Sequence, residues 1–75
     1  MTLEAAFGSV IKQLRVEKGL SQEKLAFESS LDRSYISQIE CGHRQPTLLT
    51  IFQLAKALQV APAQIIESAE TLYNQ

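Results

Sequence analysis

The chain has little of the chemistry that catalysis, metal binding or disulfide bonding requires. Its 75 residues include one cysteine, one histidine and no tryptophan. A single cysteine cannot form a disulfide within the chain, which is typical of proteins in a reducing compartment. Cys41 and His43 supply two ligands where structural zinc needs about four, and no set of acid, base and nucleophile accompanies them. We therefore expect no enzyme activity, metal, cofactor or small-molecule ligand.

Long apolar runs and a strong charge of either sign are also missing. No stretch is long enough for a transmembrane helix, and the N-terminus lacks the basic start and apolar centre of a signal peptide. We expect a cytoplasmic protein that does not associate with a membrane. The net charge is −1, whereas domains that bind nucleic acid through bulk charge are strongly basic. Any DNA contact must therefore come from a few well-placed side chains.

The apolar residues that are present follow helical spacing within one small domain, residues 1–75. The spacing predicts helices over residues 4–18, 22–29, 33–41, 48–58 and from 62 onward, with residues 67–75 extending or fraying from the last. Oxygen-bearing side chains that can cap helices precede four of them: Thr2, Ser21, Asp32 and Thr47. Five apolar side chains of the fourth helix are expected to face the core: Leu48, Ile51, Leu54, Ala55 and Leu58.

The third predicted helix has an apolar face and a polar face. Ile36, Ile39 and Glu40 cluster on one side at about 100° per residue. The other side carries short hydrogen-bonding side chains and one arginine: Arg33, Ser34, Tyr35, Ser37 and Gln38. Side chains of this kind suit the major groove of DNA. In the alternative interpretation they are ordinary solvated surface residues, with the Tyr35 ring packed on the domain.

Two separated blocks of sequence between residues 7 and 66 carry a family resemblance. They read FGxxIKxLRxxKGLSQExLA and SYISQIECGxRxPTLxTIxxLAKAL. They resemble the phage-repressor and Cro-type (XRE-type) helix-turn-helix domains, and the run LDRSYISQIE is most similar to the small controller proteins of restriction-modification systems. The resemblance implies an all-α, compact five-helix, lambda-repressor-like domain with its helix-turn-helix at about residues 22–41. It also implies a sequence-specific DNA-binding transcriptional regulator, either repressor or activator.

The resemblance implies roles for individual residues. Those expected to contact bases are Arg33, Ser34, Gln38 and Tyr35, and those expected to contact phosphates are Gln22, Ser37, Arg44 and His43. Arg15 and Glu40 are expected to form a structural ion pair between helices one and three. Two positions depart from the family pattern. Ser30 replaces the usual glycine of the turn, at a cost of about 1 kcal/mol if the backbone there is left-handed, and Cys41 removes a phosphate contact.

The C-terminal half carries apolar residues that indicate a second kind of surface. Helices four and five, about residues 47–67, are expected to form a dimer interface that includes Leu49, Phe52, Ile65, Ile66 and Leu72. In the alternative, helix five covers these residues within one chain. A two-fold dimer would place two recognition helices about 34 Å apart on a pseudo-palindromic operator. The expected partners are double-stranded DNA, a second copy of the chain and RNA polymerase.

The same helical scaffold also suits a function of another class. An antitoxin, or another protein-interaction module, would use a helical surface to cover a partner protein instead of DNA. The two functions differ in the surface that they require. A DNA regulator needs the polar face of the third helix, whereas an interaction module needs the apolar residues near Leu49 and Phe52.

Overall fold

The computed structural model describes residues 1–75 and contains five α-helices and no strand. The helices are α1 (Leu3–Glu17), α2 (Gln22–Ser29), α3 (Arg33–Glu40), α4 (Leu48–Leu58) and α5 (Pro62–Tyr73). The predicted all-α, five-helix fold is confirmed. α5 continues through most of the polar C-terminal residues, so they extend the helix. No single helix is long and apolar enough to cross a membrane; α4 and α5 meet that criterion only together, as a pair bent by 105°.

Side-chain caps fix the start of three helices. Thr2, Ser21 and Thr47 each accept a hydrogen bond from a backbone N–H of the following first turn, at 3.0–3.1 Å. Asp32 occupies the same position before α3, but it makes no capping hydrogen bond. Asp32 is thus the N-cap residue, as predicted, but the expected hydrogen bond from its exposed carboxylate is absent. The first N–H groups of α3 consequently have no side-chain partner.

One hydrophobic core joins the five helices. Its fully buried large side chains are Ile11, Leu25, Ile36, Ile39, Leu54, Leu58 and Ile65. The expectation that Ile65 is exposed is wrong, because Ile65, Ala69 and Leu72 form the i, i+4, i+7 stripe with which α5 faces the core. The expectation that Leu48 points inward is also wrong. Leu48 is 73% exposed, because the first turn of α4 directs Thr50 and not Leu48 into the domain.

α1 and α3 approach so closely that Gly8 has no room for a side chain. A Cβ atom at Gly8 would lie 2.1 Å from the carbonyl oxygen of Ile39 and 2.9 Å from that of Glu40. Both atoms belong to the backbone and cannot rotate away. The last turn of α3 is therefore seated directly on α1.

A largely buried ion pair lies at the same junction, with the Arg15 side chain 12% and the Glu40 side chain 2% exposed. Arg15 of α1 donates from Nε to Oε2 of Glu40 at 2.6 Å and from Nη2 to Oε1 at 3.1 Å. Its Nη1 donates to the carbonyl oxygen of Leu20, and Gln22 Nε2 donates to Glu40 Oε1. The hydrogen-bonded carboxylate raises the pKa of Arg15 above its ordinary value. The pair thus joins α1, the start of α2 and the end of α3.

Two residues other than glycine adopt left-handed backbone conformations at helix ends. Ser30 follows α2 with φ 61° and ψ 35°, and Gln59 follows α4 with φ 59°. Ser30 thus meets the condition under which replacement of the usual glycine costs about 1 kcal/mol. A side chain in this region is strained, because its Cβ crowds the following carbonyl oxygen. The turn of the helix-turn-helix therefore forms despite an unfavourable residue.

Substitution of Glu40 by Ala is expected to lower the free energy of unfolding by about 3 kcal/mol, because it leaves the largely buried Arg15 guanidinium without its counter-charge. Urea denaturation measures this change. Lys24→Ala is the control, since the Lys24–Glu28 pair is exposed, with 3.5 Å between its charged atoms, and is worth less than about 1 kcal/mol. Similar small losses in both variants would contradict a structural role for the buried pair.

Ser30→Gly is expected to raise the free energy of unfolding by about 0.5–1 kcal/mol, since glycine adopts the left-handed conformation without strain. The midpoint of urea denaturation should rise with its slope unchanged. Ser68→Gly makes the same chemical change at an exposed position inside α5 and should lower stability by roughly 0.5 kcal/mol. A loss of stability at both positions would show that Ser30 is not strained.

Candidate nucleic-acid interface

α3 separates its side chains into a buried face and an open face. Ile36 and Ile39 are completely buried and anchor the helix on the core. Arg33, Ser34 and Gln38 are exposed on the other side. Because the anchors point into the domain, the polar face projects from its surface in a fixed orientation. A helix exposed in this way can enter a groove about 12 Å wide, the width of the DNA major groove.

The guanidinium of Arg33 is free within the chain. Neighbouring Asp32 does not form an ion pair with it; the two ion pairs of the structure are Arg15–Glu40 and Lys24–Glu28. Arg33 also begins α3, where the helix dipole and the uncapped N–H groups make the surroundings electropositive. Its hydrogen-bond donors are therefore available to an external acceptor such as a base edge or a phosphate.

The chain leaves α3 through a tight turn that returns Arg44 to the polar face. Gly42 has a φ of 76°, and His43 N–H donates to the carbonyl oxygen of Gln38 at 2.9 Å. Arg44 Nη1 then donates to Gln38 Oε1 at 3.0 Å. The same guanidinium lies over the Tyr35 ring, 4.9 Å from its centroid, within the range of a cation–π contact.

Tyr35 connects this cluster to α4. Its hydroxyl lies 3.4 Å from Oγ1 of Thr50, and Thr50 Oγ1 lies 2.9 Å from Oγ1 of Thr47, the cap of α4. Thr50 is buried, so the hydroxyl that faces Tyr35 is held in place. Sequence reasoning missed Thr50, because a threonine in the first turn of a helix carries no signal of a contact fifteen residues earlier.

Four of the predicted contact residues share one open concavity of about 430 Å³. Ser34, Tyr35, Gln38 and Arg44 line it together with residues 30–32 of the turn. Tyr35 is half-buried there: its side chain packs against the core, its hydroxyl faces Thr50 of α4, and the Arg44 guanidinium lies over its ring. The cavity is polar and open, which suits an extended hydrogen-bonding surface better than an enclosed small molecule.

The other four predicted contact residues lie outside this concavity: Arg33, which is exposed at the start of α3, and Gln22, Ser37 and His43. Gln22 is half-buried and its amide donates to Glu40, so the side chain is part of the ion-pair cluster. Ser37 is half-buried on the flank of α3, and His43 is exposed in the loop after it. Cys41 is a free, exposed thiol at the end of α3. Among the predicted phosphate contacts, Gln22 differs most from the expectation, because its amide group is already bonded to Glu40.

A separate apolar surface lies on α4 and α5. Leu49 is 70% exposed, Phe52 55% and Ile66 46%, whereas Leu72 is half-buried against the core. Beside them is an apolar groove lined mainly by Leu3, Phe7, Pro46, Ile51, Ile66 and Tyr73. This surface lies outside the residues that line the polar concavity of α3. It leaves large apolar side chains in contact with water.

The model of the helix-turn-helix family matches residues 11–65 of the chain. Among curated proteins, the control protein C.BamHI of Bacillus amyloliquefaciens is 47% identical over 62 residues, which cover 81% of this chain and 76% of that protein. A transcriptional regulator of Sinorhizobium fredii is 38% identical over 66 residues, which cover 88% of this chain and 86% of the relative.

Solved structures of controller proteins have the same fold. The restriction-modification controller protein C.AhdI of Aeromonas hydrophila superposes with a TM-score of 0.81 at 47% identity, over 83% of this chain and 94% of that chain. The controller protein C.Esp1396I, as a tetramer in complex with its 35 base-pair operator, superposes with a TM-score of 0.88 at 36% identity, over 100% and 99% of the two chains. The chain therefore belongs to the helix-turn-helix family and is a DNA-binding transcriptional regulator, not an enzyme.

Proposed function

We propose that the protein is a restriction-modification controller that binds a pseudo-palindromic operator as a homodimer. The observation that carries the proposal is the polar face of α3, where Arg33, Ser34 and Gln38 are exposed opposite the buried anchors Ile36 and Ile39. Relatives that are control proteins, one of them solved on its operator, support this class of regulator.

Arg33, Ser34, Gln38 and Tyr35 contact base edges in this proposal. Arg33 has a free guanidinium, which can donate two hydrogen bonds to O6 and N7 of a guanine. Ser34 and Gln38 lie one helical turn apart and therefore follow the same groove. The Tyr35 ring provides an apolar surface for a thymine methyl group. Each of these contacts needs a side chain that projects outward from α3.

Arg44, His43, Ser37 and Gln22 contact the phosphate backbone in this proposal. Arg44 uses one N–H on Gln38, and the other donors of its guanidinium remain for phosphate oxygens. The uncapped N–H groups at the start of α3 add a further anion-binding position. Gln22 contributes through the amide hydrogen that Glu40 does not use. With a net charge of −1, these local donors replace bulk attraction.

The apolar surface of α4 and α5 is the dimer interface in this proposal. Leu49, Phe52 and Ile66 are exposed and would contact the partner directly, whereas Leu72 is half-buried against the core and would contribute only its exposed part. Ile65 lies beneath them in the core and supports the interface without contacting the partner. Burial of such a patch stabilises a small domain, because a chain of this length removes only about 60% of its unfolded surface from water by itself.

The site of action and the further partner follow from the same function. The protein's relatives are bacterial regulators, and a regulator that binds DNA in such a cell acts in the cytoplasm. RNA polymerase is the partner that an activating protein would contact from the operator, and this contact stays a prediction.

Arg33→Ala is expected to weaken operator binding by about 1–3 kcal/mol and to relax the preference at one base pair in each half-site, because a bidentate contact is lost. Titrations with the operator and with random DNA measure both effects. Arg33→Lys is the matched control: it keeps the charge but cannot form the two parallel bonds. It should retain binding to random DNA while losing discrimination. Equal losses on both DNAs for Arg33→Ala would refute the base contact.

Phe52→Glu is expected to convert the dimer to a monomer at tens of micromolar, because it places a charge in the apolar interface. Sedimentation equilibrium measures the mass directly. Phe27→Glu is the control, since Phe27 is an equally large side chain, 80% exposed on α2, outside the proposed interface. It should leave the dimer intact. A wild-type protein that sediments as a monomer would contradict the proposed assembly.

A further inference from the structure

The orientation of the Gln38 amide is determined by its contact with Arg44. The two ends of a glutamine amide look alike, so its orientation follows from its hydrogen-bond partners. Arg44 Nη1 lies 3.0 Å from this amide, and a guanidinium has donors but no acceptor. The atom that faces Arg44 must therefore be the carbonyl oxygen Oε1. The amino group Nε2, with its two N–H donors, is the end left without a partner in the chain.

We propose that Arg44 is a positioning residue that sets which base Gln38 reads. With Oε1 held by Arg44, Gln38 offers N–H donors to the base edge and selects guanine, whose major-groove edge presents two acceptors, N7 and O6. This inference rests on the proposed function, in which Gln38 contacts a base. It adds that the specificity at this position belongs to the pair of residues and not to Gln38 alone.

Without Arg44, the chemistry of glutamine favours a different base. A free glutamine amide pairs with adenine through two bonds, in which Nε2 donates to N7 and Oε1 accepts from the N6 amino group. In this chain Gln38 Oε1 keeps a second lone pair, but that lone pair lies beside the Arg44 guanidinium. An adenine N6 amino group there would face the remaining N–H groups of Arg44, donor against donor. Guanine O6 would instead meet donors from both side chains.

The surroundings of Arg44 hold it in this position. Its guanidinium lies over the Tyr35 ring, and the Tyr35 hydroxyl lies against buried Thr50. A bond between a charged donor and a neutral oxygen is stronger than one between neutral groups. Three contacts therefore stabilise the exposed Arg44–Gln38 pair. They are the stacking of Arg44 on the Tyr35 ring, the contact of the Tyr35 hydroxyl with Thr50, and the charge-assisted hydrogen bond itself. The amide is oriented before DNA arrives.

The test is a double-mutant cycle on operator variants that carry each of the four base pairs at every position of a half-site. Wild type, Gln38→Ala, Arg44→Ala and the double variant are titrated with each variant DNA. Comparison of wild type with Gln38→Ala identifies the base pair that Gln38 reads, and guanine is expected there. In Arg44→Ala, the affinity ratio of adenine to guanine should rise by about tenfold or more at that base pair, the equivalent of one bidentate contact.

In the Gln38→Ala background, removal of Arg44 should leave this ratio unchanged. The salt dependence separates the two roles of Arg44, since loss of a phosphate contact lowers the slope by about one whatever the base. An equal loss of affinity for all four bases in Arg44→Ala, with the shallower slope, would overturn the inference and leave Arg44 as a phosphate ligand. If Gln38→Ala changes no base preference, the proposed base contact itself is refuted, and the inference with it.

A second measurement needs no DNA. The side-chain amide signals of Gln38 in the nitrogen–proton NMR spectrum should shift in Arg44→Ala, because the amide loses a charged neighbour. Gln64 is the internal control, an exposed glutamine on α5 with no side-chain hydrogen bond. An unchanged Gln38 signal would show that the pair is not formed in solution and would overturn the inference.

Discussion

The Arg15–Glu40 ion pair is the interaction on which the position of α3 depends. It joins α1 to the last residue of α3, and its carboxylate also receives the amide of Gln22 at the start of α2. The pair is buried, so either charge alone would be costly. Gly8 lies at the same junction and lets the backbone of α3 rest on α1. Together they fix the angle at which the polar face leaves the domain.

The orientation of α3 matters because the protein has no excess of positive charge with which to attract DNA. Its net charge is −1, so general attraction to phosphate is weak, and recognition depends on where individual donors lie. Arg33 is left free, whereas Arg44 is held by the Tyr35 ring and by Gln38. One arginine is thus available to bind, and in our proposal the other orients Gln38 before binding. A rigid scaffold keeps both arginines in the positions that these roles require.

Much of this structure could be predicted from local pattern. The helical spacing of apolar residues located all five helices, and the Ile36–Ile39 stripe separated the two faces of α3. The predictions were wrong where tertiary packing determines burial. Ile65 and Leu48 are both apolar, yet Ile65 is buried and Leu48 is exposed. Gly8 and Thr50 were missed, because their contacts are distant in sequence. The Arg44–Gln38 bond depends on the tight turn at Gly42 and was likewise invisible.

In the proposed function, the polar face of α3 reads DNA in a two-fold arrangement. Selection of binding sites from a random DNA library by the protein measures this arrangement. We expect enrichment of an inverted repeat whose half-sites are centred about 34 Å apart, or one helical turn. The same selection with Arg33→Ala should lose information at one position of each half-site. Recovery of no motif, or of a single half-site without symmetry, would show that α3 does not read DNA in this way.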